Sequence, residues 1–121
     1  MPRFLTSIVL RDTDDRTPPK PELMAAIDKH AAELRRSGVM LMTGGLAPSA
    51  AATRVRAKNG KLTATDGPFA EATEFIGGFA IMQTKSKEEA VELAKRFLKI
   101  HQDVLGPGYE GVCDVREMFG E

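Results

Sequence analysis

The sequence predicts an α+β fold in which two helices cover one face of an antiparallel sheet. Two stretches repeat apolar side chains at helical spacing, and short runs of branched or aromatic residues between them are typical of strands. An Asn-Gly dipeptide between two alternating segments further indicates a β-hairpin. With 121 residues, of which 42% are hydrophobic, we expect a single domain over residues 1–121, since two would each be too small for a core.

The first half of the chain predicts a strand, a helix and a second strand. Residues 4–10 form an apolar, branched run, and the polar stretch 11–20 predicts a surface loop. Pro21 suits the first turn of a helix, and Gly38 the position just after its end. Residues 39–43 (VMLMT) then predict a strand. The helix presents one apolar stripe, made of Leu23, Ile27, Ala31 and Leu34.

A hairpin excursion separates the two halves of the predicted fold. Residues 53–58 alternate between apolar and basic side chains, and Asn59 and Gly60 supply a two-residue turn before a return arm that starts at Leu62. The next segment, 75–83 (FIGGFAIMQ), is apolar on both faces, which is typical of a central strand.

The second half repeats the strand-helix-strand pattern. Ser86 and Glu89 have the spacing of a capping box at the start of a second helix. Residues 106–108 (GPG) end this helical region, and 111–119 alternate as a last strand. The order predicts a ferredoxin-like split β-α-β pattern with a hairpin insertion. Its apolar helix face consists of Ala90, Leu93, Ala94, Phe97 and His101.

This arrangement leaves one sheet face without a helix to cover it. Apolar residues of 75–83 and of the last strand would lie there. Each Å² of apolar surface left in water costs about 25 cal/mol of free energy relative to burial. We therefore expect a homodimer that pairs the two open sheet faces.

Composition argues against two partner classes and for one compartment. Basic and acidic side chains number 17 each, so the formal net charge is zero and we expect neither nucleic acid nor a membrane surface as a partner. No apolar run reaches transmembrane or signal-peptide length. The one cysteine, Cys113, is typical of a reducing compartment, and we expect a cytoplasmic protein.

The turn at 66–69 (DGPF) is the strongest local feature, and two interpretations stay open. In the structural one, Asp66 caps the turn, Gly67 supplies an unusual φ, and Phe69 pins the loop to the core. In the functional one, Asp66 is a carboxylate acceptor or general base at the mouth of a cleft.

Other candidate residues surround the same expected cleft, between helix one, the 44–49 loop and the 66–69 turn. His30 lies at the edge of the apolar stripe of helix one and is either a neutral base or a packing group.

No His, Cys or carboxylate spacing indicates a metal site, and we expect no cofactor. Gly77 and Gly78 lie within a strand and predict a bulge or a close backbone approach. The candidate ligand-binding residues are Gly45, Ser49, Arg54, Phe69 and Arg116.

The segment 65–79 (TDGPFAEATEFIGGF) resembles the DGPF subgroup of the YCII-related family. Four further segments are similar to that subgroup in the same order: 40–50, 55–69, 85–97 and 113–119. The resemblance implies a ferredoxin-like protomer and a dimeric α+β barrel. It also implies little about activity: some members of the wider superfamily are small enzymes for aromatic or ring-like substrates, and some subgroup members are associated with extracytoplasmic-function sigma factors.

Two functional hypotheses follow. The first is a homodimeric small-molecule-binding protein or cofactor-independent acid/base enzyme for a small aromatic or anionic molecule. Asp66 would accept the proton, His30 would assist, and Arg54 or Arg116 would hold an anionic group. The alternative is a non-enzymatic regulatory or interaction module, linked to a sigma factor, with the hairpin as its partner surface. The sequence alone does not decide whether the protein is an enzyme.

Overall fold

The computed structural model describes residues 1–11, 19–69 and 74–120. It confirms the α+β class, and each predicted helix and strand is present. Most of the loop predicted at 11–20 lies outside the described residues, while Arg11 ends the first strand. The elements in chain order are β1 (Arg3–Arg11), α1 (Pro21–Arg36), β2 (Met40–Gly45), β3 (Thr53–Lys58), β4 (Lys61–Asp66), β5 (Glu74–Gln83), α2 (Lys87–Leu105) and β6 (Val112–Glu117), with a 3₁₀ turn at Ser49–Ala51.

Four strands form one antiparallel sheet in the order β2-β5-β1-β6, and β3 and β4 form a separate two-stranded sheet. The hairpin is therefore an insertion, as predicted. Asn59 and Gly60 both have positive φ, as a type I′ turn requires.

Helix α1 begins and ends where its sequence signals predict. Pro21 occupies the first turn, where a missing N–H leaves no helical hydrogen bond unmade. Gly38 has φ +80° and its amide donates to the carbonyl of Arg35, while the amide of Val39 donates to Leu34. These two bonds are the Schellman pattern, and they satisfy carbonyls that the helix end would otherwise leave free.

Helix α2 has the predicted serine cap but only half of the predicted capping box. Ser86 Oγ accepts a hydrogen bond of 3.2 Å from the amide of Glu89. The Glu89 carboxylate accepts from the amide of Lys85 at 3.3 Å, one residue before the expected partner. The cap still satisfies a free amide of the first turn. Neither α1 nor α2 is long and apolar enough to cross a membrane.

Both helices pack on the same face of the four-stranded sheet. That face carries Phe4, which is 2% exposed, opposite Met82, which is 3% exposed. Alternate residues point the other way, and among them Ile76, Val112 and Met42 remain 46%, 51% and 55% exposed. The second face therefore stays open in one subunit. The buried cluster between helices and sheet consists of Leu34, Met40, Ala80, Met82 and Leu93.

Candidate functional site

A cavity of about 540 Å³, the main cavity, lies between the two helices and the sheet. This volume falls within the range of about 300–1,000 Å³ that is common for small-molecule sites. Its walls come from both helices and all four strands of the sheet and are mostly apolar. They include Ile8, Leu10, Met24, Ile27 and Phe97.

Glycines on two paired strands border this cavity, and only at Gly45 would a Cβ meet no atom of the described residues within 4 Å. Gly44 and Gly45 of β2 and Gly77 and Gly78 of β5 all border it, and none has a side chain to fill it. The β1–β5 register shifts beside Gly77, and a Cβ there would collide with the side chain of Leu10. The predicted bulge and close approach at Gly77 and Gly78 are thus confirmed.

His30 of α1 borders the main cavity and is half-buried. Its Nε2 is fully buried and has no hydrogen-bond partner within residues 1–11, 19–69 and 74–120. Burial lowers the pKa of His30 below its ordinary value, the charge of Arg96 lowers it further, and Glu33 opposes both. The imidazole is therefore neutral at pH 7, and Nε2 is a buried polar atom whose hydrogen-bonding capacity no described residue satisfies.

Other polar side chains also border the main cavity: Asp28 and Arg35 are charged and exposed, whereas two hydroxyls are hydrogen-bonded to the backbone and one thiol is uncharged. The hydroxyl of Thr43 donates to the carbonyl of Phe79 at 2.9 Å, and that of Thr6 to Ala80 at 3.3 Å. Burial, with the neighbouring Asp114, raises the pKa of the Cys113 thiol. Cys113 therefore stays protonated, which agrees with a strand thiol and not with a nucleophile. Within the described residues, His30 is the bordering side chain with a buried nitrogen that lacks a hydrogen-bond partner.

A second, smaller cavity of about 370 Å³ lies at the base of the hairpin. It is lined by Ser49, Arg54, Phe69 and Ile76, among others. The guanidinium carbon of Arg54 lies 4.0 Å from the centroid of the Phe69 ring, a cation–π contact. Phe69 thus anchors the turn against the hairpin.

The 66–69 turn packs tightly against the 3₁₀ turn that precedes β3. The Gly67 amide donates to the carbonyl of Ala52 at 2.8 Å, and a Cβ on Gly67 would collide with the carbonyl oxygen of Ser49. The Gly67-Pro68 peptide bond is cis. Gly67 does not have a positive φ, so the expected reason for glycine was wrong: close backbone approach, not an unusual φ, excludes a side chain there.

Comparison with known families adds one finding. The family model for the YCII-related domain matches residues 5–104, most of the chain. The chain belongs to the YCII-related family. No curated protein matches it.

The site residues predicted from the sequence lie in separate parts of this YCII-related chain. Gly45 borders the main cavity together with His30, whereas Ser49, Arg54 and Phe69 border the second. The two candidate catalytic residues therefore do not share a cavity: Asp66 is exposed at the end of β4 and borders neither one.

Arg116 also borders neither cavity. It is exposed on β6 and pairs in register with Leu5, which places it on the open face of the sheet. Among the described residues of the YCII-related chain, no three His, Cys, Asp or Glu side chains form a group that could hold a metal ion.

The sequence predicts a cleft between helix one, the 44–49 loop and the 66–69 turn, whereas the main cavity borders α1, Gly44 and Gly45 but not the turn. The missed signal is the pair of double glycines: Gly45 lies opposite Gly78 in the β2–β5 register, so two strands lack side chains at the same level. The register is a long-range property, and each glycine pair taken alone indicates only a local irregularity.

Proposed function

We propose that this YCII-related protein is a homodimeric small-molecule-binding protein that holds its ligand in the main cavity. Neutral His30 would be the hydrogen-bond partner and proton acceptor of that ligand. The buried, unpartnered Nε2 of His30 beside a cavity of about 540 Å³ is the observation that supports this most directly. Burying a polar atom without a hydrogen-bond partner destabilises the folded protein by about 1–3 kcal/mol. A ligand that forms a hydrogen bond to that atom would recover this free energy.

The lining of the cavity supports a ligand class. Mostly apolar walls favour a compact, largely apolar molecule, including an aromatic one, with a single weakly acidic group for His30. Arg35 also borders the cavity and is exposed, so an anionic substituent would suit that side. A neutral histidine in an apolar site can accept a proton without a metal or cofactor. The chemistry proposed is cofactor-independent acid/base chemistry.

The strand order supports a finer description of the fold. The antiparallel order β2-β5-β1-β6, with both helices on one face, agrees with a ferredoxin-like protomer in one domain. We infer that two protomers pair their open faces into a dimeric α+β barrel. Exposed Met42, Ile76 and Val112 support this, because pairing would remove their side chains from water.

A regulatory module that binds an extracytoplasmic-function sigma factor is the second candidate. The exposed hairpin favours it, since Val55 and Leu62 are 71% and 78% exposed. The main cavity has no role in such a module. We therefore prefer a ligand-binding protein.

A ligand screen with a matched histidine pair tests the proposal. Thermal-shift assays against phenols, aromatic acids and small carboxylates should find compounds that raise the Tm of the wild type. Titration calorimetry on those compounds should give at least about tenfold weaker binding for His30→Leu, equivalent to the loss of one buried hydrogen bond of about 1.4 kcal/mol.

His101→Leu is the control. His101 lies near the end of α2, where its Nδ1 pairs with the carbonyl of Phe97 at 2.8 Å, and it does not border the main cavity. Its replacement should leave the affinity unchanged. Equal binding to wild type and His30→Leu would contradict the proposal, as would binding that is lost only in Arg54→Ala, because Arg54 borders the other cavity.

A further inference from the structure

The side chains on the helix-covered face of the sheet become smaller from one end of the strands to the other. Pairing of β1, β5 and β2 places these side chains in three successive cross-strand rows. The rows are Phe4, Met82 and Met40, then Thr6, Ala80 and Thr43, and last Ile8, Gly78 and Gly45. The first row is buried, whereas on β5 and β2 the last row, called the glycine row, has no side chain and borders the main cavity.

The glycine row lies beneath the first half of α1. Since β1 and β2 both run antiparallel to β5, they are parallel to each other, and the helix that connects them runs in the opposite direction. Leu34, near the end of α1, accordingly packs with Met40 at the start of β2. Met24 and Ile27, from the first half of α1, line the main cavity, and His30 lies between these two parts of the helix.

Gly45 differs from the neighbouring glycines because no contact within the protein accounts for its missing side chain. A Cβ at Gly44 would lie 3.2 Å from the ring of Phe79, and one at Gly78 would lie 3.3 Å from the carbonyl oxygen of Gly44. At Gly45, no atom of residues 1–11, 19–69 or 74–120 lies within 4 Å of such a Cβ, and φ is not positive. Glycine in a strand is less stable than alanine and often marks close approach of a backbone or a ligand.

We propose that Gly45 is a specificity-determining residue of the main cavity, where the missing side chain leaves room for the ring of a bound ligand. This inference rests on the proposed function and deepens it by assigning the two ends of the ligand. The acidic group would meet His30, and the ring would lie on the glycine row and extend toward Met24.

The dimensions of this part of the cavity indicate the ligand class. Six residues of helix separate His30 from Met24, which corresponds to about 9 Å along α1. Backbone without Cβ atoms lets a flat ring approach closely over its whole face. The ligand class is therefore a single flat ring with an acidic group at one end and a short apolar substituent at the other.

Phenols of graded length test the proposed role of Gly45. Phenol, para-methylphenol and para-ethylphenol share one acidic hydroxyl and differ at the opposite end of the ring. Each added carbon should strengthen binding to the wild type up to about fourfold in titration calorimetry, because it is buried on the glycine row. In Gly45→Val the side chain would occupy this space, so para-ethylphenol should bind at least about tenfold more weakly than to the wild type and phenol less than about threefold more weakly.

The stability of the ligand-free protein distinguishes ligand space from a structural role. Gly45→Ala should raise the folding equilibrium constant about two- to fivefold in urea unfolding curves, because alanine loses less backbone freedom in a strand. The same variant should bind para-ethylphenol about threefold more weakly or less tightly still. A structural glycine would instead lose stability on substitution, and such a loss would contradict the proposal.

Gly108→Ala and Gly108→Val are the matched controls. A Cβ at Gly108 also meets no atom of the described residues within 4 Å, and Gly108 does not border the main cavity. Both variants should bind all three phenols within about twofold of the wild type. If they weaken para-ethylphenol as much as the Gly45 variants do, the effect does not arise in the cavity and the inference is refuted.

The remaining outcomes separate this inference from the proposed function. If His30→Leu weakens the phenols but Gly45→Val binds para-ethylphenol as tightly as the wild type, the role of Gly45 is refuted and the proposed function stands. Equal weakening of all three phenols by Gly45→Val also refutes it, since the loss would not depend on ligand length. A wild type that binds none of the three with a Kd below about 10 mM overturns both.

Discussion

The hydroxyl of Thr53 donates a 2.9 Å hydrogen bond to Oδ1 of Asp66 across the open end of the hairpin. These residues are also register partners, the first residue of β3 and the last of β4. The bond therefore closes the hairpin where the chain enters the 66–69 turn. It gives Asp66 a structural role, which agrees with a turn-stabilising carboxylate and not with a base in the main cavity.

A double-mutant cycle measures this role. Thr53→Ala and Asp66→Ala should each lower the free energy of unfolding by about 0.5–1.5 kcal/mol, because each removes one exposed hydrogen bond. Together they should lose less than the sum of the single losses, by about 0.5 kcal/mol or more, in urea unfolding curves. Ligand affinity in the main cavity should not change, and a large loss of affinity in Asp66→Ala would restore this residue as a candidate base.

Gly67→Ala should be the more damaging change in the same turn. A methyl group there would collide with the carbonyl oxygen of Ser49, so the two turns must separate. We expect a loss of about 1–3 kcal/mol in the free energy of unfolding, as for overpacked sites. Gly108→Ala is the control, because a Cβ at Gly108 meets no atom within 4 Å and should change stability by less than about 0.5 kcal/mol.

The pH dependence of stability reports on His30. Burial and Arg96 hold its pKa below 6.5 in the folded protein, whereas the unfolded chain has the ordinary value of 6.5. Between these values the unfolded chain binds more protons, so the free energy of unfolding falls as pH falls below 6.5 and levels off below the folded pKa. His30→Leu lacks this loss.

The measurement is a set of urea unfolding curves for the wild type and His30→Leu between pH 7.5 and pH 5, values chosen to bracket the His range of about 6.5. The stability of His30→Leu relative to wild type should increase as pH decreases. Parallel pH profiles would mean that the cavity is open enough to solvate His30⁺.

The open sheet face predicts a dimer that a single charge weakens. Val112 is 51% exposed there, in register with Val9. Val112→Glu should raise the dimer dissociation constant at least about tenfold in sedimentation equilibrium, because a charge would be buried without a partner. Ala25→Glu adds the same charge on the exposed side of α1 and should have no effect. If the two variants behave alike, the sheet face is not the contact.

Local signals predicted the elements because each signal acts over a few residues. The amides of Gly38 and Val39 end α1 by donating to carbonyls of its last turns, and Ser86 caps α2 by accepting from an amide three residues away. Asn59 and Gly60 made the hairpin turn because both adopt positive φ. Local spacing did not fix the hydrogen-bond partner of Glu89, whose carboxylate accepts from the amide of Lys85 and not of Ser86. A flexible side chain can reach more than one neighbouring amide.

The candidate site was predicted only in part, because it depends on residues distant in sequence. His30 was chosen for its position at the edge of a helical stripe, and it does border the main cavity. Asp66 was chosen for its motif, but the fold places it at the exposed hairpin base. A sequence motif shows which residues are adjacent along the chain. It does not show which cavity those residues border in the folded protein.

The sequence by itself determined the family, through segments similar to it in the same order. It also determined the order of helices and strands and the ends of the helices, since these depend on periodicity and on short-range hydrogen bonds. Only the tertiary structure decided that Gly45 of β2 lies opposite Gly78 of β5 at the main cavity and that His30 Nε2 is buried without a described partner. Strand register and burial arise when distant segments pack together, so no local pattern encodes them separately.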